Sequence, residues 1–192
     1  MNIEIREVGP EGLAEYAKVP IRFRITSVYR VEGEGEGPGT FRLFEEPVEP
    51  AYVKDYDDPW LIRPESWPER FDMRNWVFFI ARDGSKPVGA AAVALDAPDW
   101  ERPEGRCDVA LLRDIRVDPA RRGEGIGTGL FRRAVEWARE RGCKRLGIET
   151  QNTNVRACRF YMNQGCRLAR AVRDVYPEPL ENEVMLLWHL DL

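Results

Sequence analysis

One glycine-rich stretch, residues 118–129, constrains the fold of this chain more than any other. Its sequence is Asp-Pro-Ala-Arg-Arg-Gly-Glu-Gly-Ile-Gly-Thr-Gly. An apolar segment at 107–117 precedes it and a segment with apolar residues at helical spacing follows at 126–140, so the stretch is predicted to join a strand to an amphipathic helix. Its glycines leave backbone N–H groups accessible at the positive end of the helix dipole. The sequence therefore predicts a phosphate cradle, to which Arg121 and Arg122 would add mobile positive charge.

The spacing of these glycines excludes two common nucleotide-binding loops. A dinucleotide fingerprint requires glycines at i, i+2 and i+5, but positions 128 and 130 are Thr and Leu. A Walker A loop requires a lysine before Ser or Thr, and the stretch contains no lysine. A reading without a ligand, in which the glycines only allow close packing of strand and helix, stays open at this point.

Periodicity and turn residues predict the remaining elements. The pattern predicts a short helix at 10–17, a hairpin of strands at 21–31 and 40–44, and an irregular segment at 45–70. It further predicts strands at 76–81, 88–95, 107–117 and 144–150, with the helix at 126–140 before the last of these. Another helix at about 153–164 and two final strands near 166–175 and 184–190 follow. The strand–helix–strand unit around the first long helix should be parallel and right-handed.

A second group of polar residues follows the predicted strand 144–150. Glu149 lies at the end of that strand, and Asn154 and Tyr161 lie in the helix after it. Because Asn154 and Tyr161 are seven residues apart, they should share one helix face, with small side chains between them. Such a face suits a flat cofactor arm, whereas a half-buried tyrosine that only packs is the alternative.

These two segments resemble the GNAT superfamily of N-acetyltransferases. Residues 122–127 match its R-x-x-G-x-G/A acyl-CoA loop, and a closer resemblance points to streptothricin acetyltransferases, one branch of the superfamily. The stretches that carry it are RDIRV at 113–117, EWA at 136–138, ETQ at 149–151, ACRFY at 157–161, the segment 46–56 and Leu187-Trp188. It covers about residues 20–192 and departs at the proline-rich insert 97–106 and at Gly165-Cys166.

The resemblance implies an α/β (α+β mixed sheet) GNAT fold, in which a central twisted mixed sheet with splayed parallel strands is flanked by helices. It also implies one domain over 1–192, with a core of about 71–192 and an N-terminal hairpin and acidic loop region at 1–70. Acetyl-CoA is the implied co-substrate. The implied cofactor-binding residues are Ile115, Arg116, Val117, Arg122, Gly123, Glu124, Gly125, Ile126, Gly127, Thr128 and Asn154.

The resemblance further implies two catalytic residues. Tyr161 is expected to protonate the departing CoA thiolate, and Glu149 to accept a proton from the substrate ammonium before its nitrogen attacks the thioester directly. A partly buried carboxylate with a raised pKa would suit that base. Asp114, on the neighbouring strand, is the competing carboxylate, and both acids are expected to contact the substrate. In the alternative, Glu149 only anchors a cationic substrate or a backbone amide.

Charge is distributed unevenly along the chain. Residues 1–110 carry 14 Lys and Arg against 22 Asp and Glu, whereas residues 111–192 carry 15 against 11. Carboxylates cluster at 45–58, which suits a small polycationic amine of the kind that the streptothricin-type resemblance implies. Ordinary solvated surface charge is the alternative explanation.

The same sequence bears on other functions and on binding partners. A protein N-terminal or lysine acetyltransferase and a non-catalytic acyl-CoA-binding module stay open as alternatives. No nucleic-acid partner is expected, because the arginines alternate with acids, and one histidine and four cysteines without a CxxC pair make a metal site unlikely to form. The longest apolar run, 88–95, is too short to span a membrane. We expect a cytoplasmic protein with reduced thiols, and a homodimer stays open.

Overall fold

The computed structural model describes residues 3–33, 37, 39–58, 61–95, 108–178 and 180–192. They fall into two compact units, the first drawn from 1–23, 55–146 and 192, and the second from 24–54 and 147–191. The insert 97–106 and Cys107 lie outside the described residues. The prediction of a single domain with a core at 71–192 stays a prediction.

The described strands and helices follow the predicted order, with additions. The strands are β1 (Ile3–Val8), β2 (Phe23–Glu32), β3 (Arg42–Lys54), β4 (Trp76–Asp83), β5 (Lys86–Ala94), β6 (Val109–Val117), β7 (Arg145–Gln151), β8 (Arg167–Val172) and β9 (Met185–Asp191), and the helices are α1 (Leu13–Tyr16), α2 (Trp67–Arg70), α3 (Ile126–Glu140) and α4 (Val155–Asn163). Among the residues that the structure describes, no helix has the length and apolar character needed to cross a membrane.

The first unit contains an antiparallel sheet in the order β1-β4-β5-β6. The sequence predicts no element before residue 10, but β1 pairs with β4 from Ile3 opposite Asp83 to Val8 opposite Phe78. Ile3 and Ile5 alternate with charged residues, but Glu7 breaks the alternation before Val8, so the pattern of β1 is weak without the partner strand. Strands β4 and β5 are buried almost throughout, as expected for the central strands of a sheet covered on both faces.

Helix α3 packs on β4, β5 and β6 of this sheet. Its buried residues are Ile126, Leu130, Phe131, Ala134, Val135, Trp137 and Ala138, which confirms the predicted apolar stripe. A Cβ at Gly89 of β5 would lie 2.7 Å from Ile126 Cγ2 and 3.0 Å from Leu130 Cδ1. Glycine at position 89 therefore allows the first turn of α3 to approach the sheet closely, which fixes the place of the glycine-rich loop.

The second unit contains the β2-β3 ribbon, strands β7, β9 and β8 in that order, and helix α4. The prediction that 45–70 is irregular is wrong for residues 45–54, which belong to β3. Because β3 pairs with β2 alone in its two-stranded sheet, Pro47 and Pro50 fit where no ladder N–H is needed. The prediction of an irregular segment is also wrong at Trp67, which is buried at the start of α2 in the first unit.

Candidate active site

The glycine-rich loop presents backbone N–H groups at the start of α3. Gly125 precedes the helix with a φ of 82°, and Gly123 has a φ of 89°, a conformation that side chains disfavour. The first helical hydrogen bond is donated by Gly129 N to Gly125 O at 3.0 Å, so the N–H groups of Ile126, Gly127 and Thr128 precede it and are directed out of the helix end. A Cβ at Gly123 or Gly125 would meet nothing within 4 Å. This open, donor-rich surface fits a diphosphate.

The two arginines of the loop are held by the protein itself. Arg121 forms ion pairs with Glu124 at 2.8 Å and with Asp83 at 2.9 Å. The predicted mobile charge at Arg121 is therefore wrong, because two carboxylates already compensate its guanidinium.

Arg122 is tethered to backbone carbonyls and not to carboxylates. Its Nε donates to Val117 O at 3.1 Å, and its Nη2 donates to Ile21 O at 3.3 Å and to Arg22 O at 2.9 Å. The mobile charge predicted here is also wrong, since these bonds join the loop to the end of β6 and to the chain before β2. The role of Arg122 in cofactor binding stays a prediction. Because the guanidinium is bound to carbonyl groups, the contact with the cofactor would come from the backbone N–H of Arg122.

Strand β6 changes register beside the predicted site residues. Asp114 pairs with Ala92 while Leu112 pairs with Val93, so Arg113 is an extra residue in the ladder. Such a bulge bends the strand and redirects its side chains. Beyond it, Ile115 pairs with Ala91 and Val117 with Gly89, which leaves both predicted cofactor-binding residues half-buried on β6.

Arg116 and Asp114 bind each other. Arg116 is 3% exposed and donates from Nε to Asp114 at 2.8 Å, from Nη1 to Asp57 at 2.9 Å, and to Val19 O at 3.1 Å. Burial opposes the charge of Arg116, but Asp114, Tyr16 and Asp57 raise its pKa overall. The geometry thus favours a structural role for the Arg116 side chain. It also disfavours Asp114 as the competing general base, because Asp114 Oδ2 is already bound by Arg116.

Glu149 lies near the end of β7 and is exposed. Its Oε1 accepts a hydrogen bond of 2.7 Å from the Tyr176 hydroxyl, and Gln151 Nε2 donates to the same hydroxyl at 3.1 Å. The expectation of a partly buried carboxylate is wrong, since Glu149 is exposed on β7. Sequence reasoning also missed Tyr176, which no motif marks and which lies 27 residues from Glu149 along the chain.

Asn154 caps α4 instead of lying within it. Its Oδ1 accepts from Ala157 N at 3.1 Å, and the helix begins at Val155. Because the side-chain oxygen satisfies the first turn, a contact with a cofactor arm would fall to its Nδ2. Tyr161 is 5% exposed and packs edge-on against Phe160.

Two buried thiols of the second unit, Cys158 and Cys166, are poor nucleophiles. Cys143, Cys158 and Cys166 are buried free cysteines, and burial raises the pKa of Cys158 and of Cys166 to about 12. Since the thiolate is the reactive form, neither thiol is prepared to carry an acetyl group. This disfavours an acetylated intermediate on Cys158 or Cys166.

A family model described as the Acetyltransferase (GNAT) family matches residues 42–166. The chain belongs to the GNAT family. It is an acetyl-CoA-dependent N-acetyltransferase, and its GNAT fold, a mixed sheet with flanking helices, confirms the predicted fold class. The matched region contains every predicted site residue but not Tyr176.

The chain is also similar to individual acetyltransferases. A streptothricin acetyltransferase of Streptomyces lavendulae is 33% identical over 162 residues, or 84% of this chain and 80% of that protein. A solved structure from Bacillus anthracis, assigned as a streptothricin acetyltransferase and in complex with acetyl coenzyme A, is 26% identical, with a TM-score of 0.77 over 100% of this chain and 99% of that chain. N-alpha-acetyltransferase 30 of Homo sapiens is 31% identical over 138 residues, or 71% of this chain and 33% of that protein.

Proposed function

We propose that this GNAT enzyme acetylates a primary amine of a small cationic acceptor of the streptothricin type. The observation that carries the proposal is the similarity to streptothricin acetyltransferases, which extends along both compact units and beyond the family match. The alternative of a non-catalytic acyl-CoA-binding module loses its support, since the family assignment makes the chain an enzyme.

Acetyl-CoA is proposed to bind with its pyrophosphate on the backbone N–H groups of residues 122–128. The support is the open helix start of α3, where two glycines adopt positive φ and three N–H groups precede the first helical bond. Phosphate oxygens would satisfy these donors and meet the positive end of the helix dipole. The bound co-substrate supplies the activated acetyl group.

Glu149 and Tyr161 are proposed to carry the proton transfers. The ammonium of the acceptor gives a proton to Glu149, directly or through water, and the resulting amine attacks the thioester carbonyl carbon. As the C–S bond breaks, Tyr161 protonates the thiolate. The positively charged nitrogen formed by the attack then loses a proton that restores the Tyr161 hydroxyl, which leaves a neutral amide, and Glu149 releases its proton to solvent. The exposure of Glu149 suits an acceptor that arrives from solvent, and Tyr161 supplies a hydroxyl on the helix that follows the strand of Glu149.

The carboxylates at 45–58 support a cationic acceptor less strongly than their number suggests. Glu45 accepts from Ser27 at 2.6 Å and also pairs with Arg159. Glu46 pairs with Arg30 at 2.5 Å, while Asp57 pairs with Arg116 in the first unit. These arginines compensate part of the negative charge, so a polycation would have to compete with them for the same oxygens.

A protein N-terminal acetyltransferase is the second candidate, favoured by the similarity to N-alpha-acetyltransferase 30. Mass spectrometry of reactions with acetyl-CoA, offered either streptothricin-type antibiotics or peptides with free N-termini, separates the two. We expect one added acetyl group on the antibiotic and none on the peptides. Product from peptides alone would establish the second candidate and reject the first.

Four further expectations about location, metal, nucleic acid and oligomeric state stay predictions. They concern a cytoplasmic location, the lack of a metal and of a nucleic-acid partner, and the question of a homodimer. Size-exclusion chromatography with light scattering would decide the oligomeric state.

A further inference from the structure

The end of β7 and the segment between β8 and β9 are joined by a chain of three side chains. Glu149 and Gln151 are two residues apart on β7, so they lie on the same face, while Thr150 between them is buried. Tyr176 reaches both from the segment after β8, at 2.7 Å to Glu149 Oε1 and 3.1 Å to Gln151 Nε2. No part of the GNAT family match includes this tyrosine.

The direction of these hydrogen bonds is fixed by the chemistry of the three groups. An ionised carboxylate only accepts, so the single proton of the Tyr176 hydroxyl is donated to Glu149. The phenol oxygen must then accept from Gln151, whose amide nitrogen supplies the donor. Hydrogen bonds arranged in series polarise one another, so the amide of Gln151 strengthens the bond that the hydroxyl donates to the carboxylate.

We propose that Tyr176 is a positioning residue that holds the Glu149 carboxylate, and that Gln151 orients the Tyr176 hydroxyl. This inference rests on the proposed role of Glu149 as general base. An exposed glutamate at the end of a strand samples several rotamers, and most of them would carry its oxygens away from an incoming ammonium. A charge-assisted bond to one oxygen selects one orientation before the acceptor arrives.

These hydrogen bonds also give the segment between β8 and β9 a role in catalysis. Tyr176 contributes no proton to the proposed reaction, because its proton stays in the bond to Glu149. What it contributes is geometry: the carboxylate is held at the end of β7 by a side chain from a segment far along the sequence. A base that must meet a substrate proton within hydrogen-bond distance gains from such support.

The test is Tyr176→Phe, measured alone and in the Glu149→Gln background. In the otherwise native enzyme we expect kcat to fall about tenfold, with KM for the acceptor and for acetyl-CoA nearly unchanged. In the Glu149→Gln background the same change should alter kcat less than about twofold, because the group being positioned is no longer a base. Gln151→Ala, which keeps the hydroxyl, should cost less than Tyr176→Phe.

Two kinetic results would overturn the proposal. An equal loss in both backgrounds, or a loss confined to the acceptor KM, would mean that Tyr176 contacts the acceptor itself. An unchanged kcat in Tyr176→Phe would mean that the hydrogen bond is not used. Thermal unfolding of each variant, with a melting temperature near that of the native enzyme, shows that the comparison is made on folded protein.

An NMR measurement on the resting protein separates this inference from the proposed function. The Glu149 carboxyl carbon signal, assigned by its loss in Glu149→Gln, should shift at fixed pH in Tyr176→Phe and less in Gln151→Ala. An unmoved signal would reject the positioning contact even in an active enzyme. Failure of the native enzyme to acetylate any amine offered would instead reject the proposed function, whatever the signal does.

Discussion

Arg116 and Asp114, two residues apart on β6, form a buried ion pair in which the guanidinium also binds Asp57 and the carbonyl of Val19. Only 3% of Arg116 and 8% of the Asp114 side chain are exposed, so the charges depend on each other and not on water. This pair joins β6 to the chain after α1 and to residue 57, within the same compact unit.

Arg116→Ala should destabilise the protein by about 3–5 kcal/mol, because it leaves the buried Asp114 carboxylate and the partly exposed Asp57 carboxylate without this counter-charge. The measurement is urea unfolding at neutral pH. Arg133→Ala is the matched control, since Arg133 forms an exposed ion pair with Glu136 and should cost less than about 1 kcal/mol. Similar losses in the two variants would contradict a structural role for the buried pair.

Asp118 links stability to pH beside the glycine-rich loop. Its Oδ1 accepts from Ala120 N at 3.0 Å, and this bond, aided by Lys86, lowers the pKa of Asp118. Because the folded pKa is depressed, the stabilisation is present above the ordinary aspartate pKa and is lost as pH falls through the lower folded value. Asp118→Ala should cost about 1 kcal/mol at neutral pH, and urea unfolding in strong acid should show a much smaller difference. A difference that does not change with pH would argue against stabilisation by the ionised Asp118 carboxylate.

Gly125→Ala should weaken acetyl-CoA binding about tenfold or more, because a side chain at a φ of 82° forces the loop out of its conformation and moves its N–H donors. Calorimetric titration with acetyl-CoA measures the effect. The matched control is Gly142→Ala at the other end of α3, where φ is 75° and a Cβ would also meet nothing within 4 Å. Both variants should lose similar stability, and only Gly125→Ala should lose affinity. Equal affinities would remove the pyrophosphate from this loop.

Tyr161→Phe should lower kcat by about 10²–10³-fold with KM for acetyl-CoA nearly unchanged, as expected for loss of a general acid. Steady-state kinetics measure the loss. An acetyl thioester with a more acidic leaving thiol provides the internal control, since its thiolate needs no proton to depart and the variant should be less impaired with it. The same loss with both donors would leave Tyr161 a packing residue of α4.

Local patterns predicted much of this fold, and distant partners explain what they did not predict. Helix α3 and its loop follow from apolar spacing and from glycines at 123 and 125, both of which are properties of a short stretch. Strand β1 has too few apolar residues to be recognised without β4, and β3 contains prolines that only an edge strand accepts.

The candidate site shows the same difference between local and distant signals. Glu149 and Tyr161 were predicted from resemblance, and their positions in β7 and α4 follow from local pattern. The pairing of Arg116 with Asp57, 59 residues away, and of Glu149 with Tyr176, 27 residues away, could not be predicted, because hydrogen bonds between distant residues leave no periodic signal in one sequence. The first pairing changes the expected role of Arg116, and the second adds Tyr176 to the candidate site.

Glu149→Gln should lower kcat/KM most strongly below the pKa of the acceptor amine, where the amine is protonated and a base is required. At higher pH the free amine is already present, so the variant should recover part of its activity. The measurement is kcat/KM for the acceptor across pH in the native enzyme and in the variant. Asp114→Asn distinguishes the two carboxylates: because Asp114 is paired with Arg116, its replacement should lower stability without this pH-dependent recovery. A loss in Glu149→Gln that is the same at every pH would make Glu149 an anchor for the cationic acceptor, as in the alternative that the sequence left open.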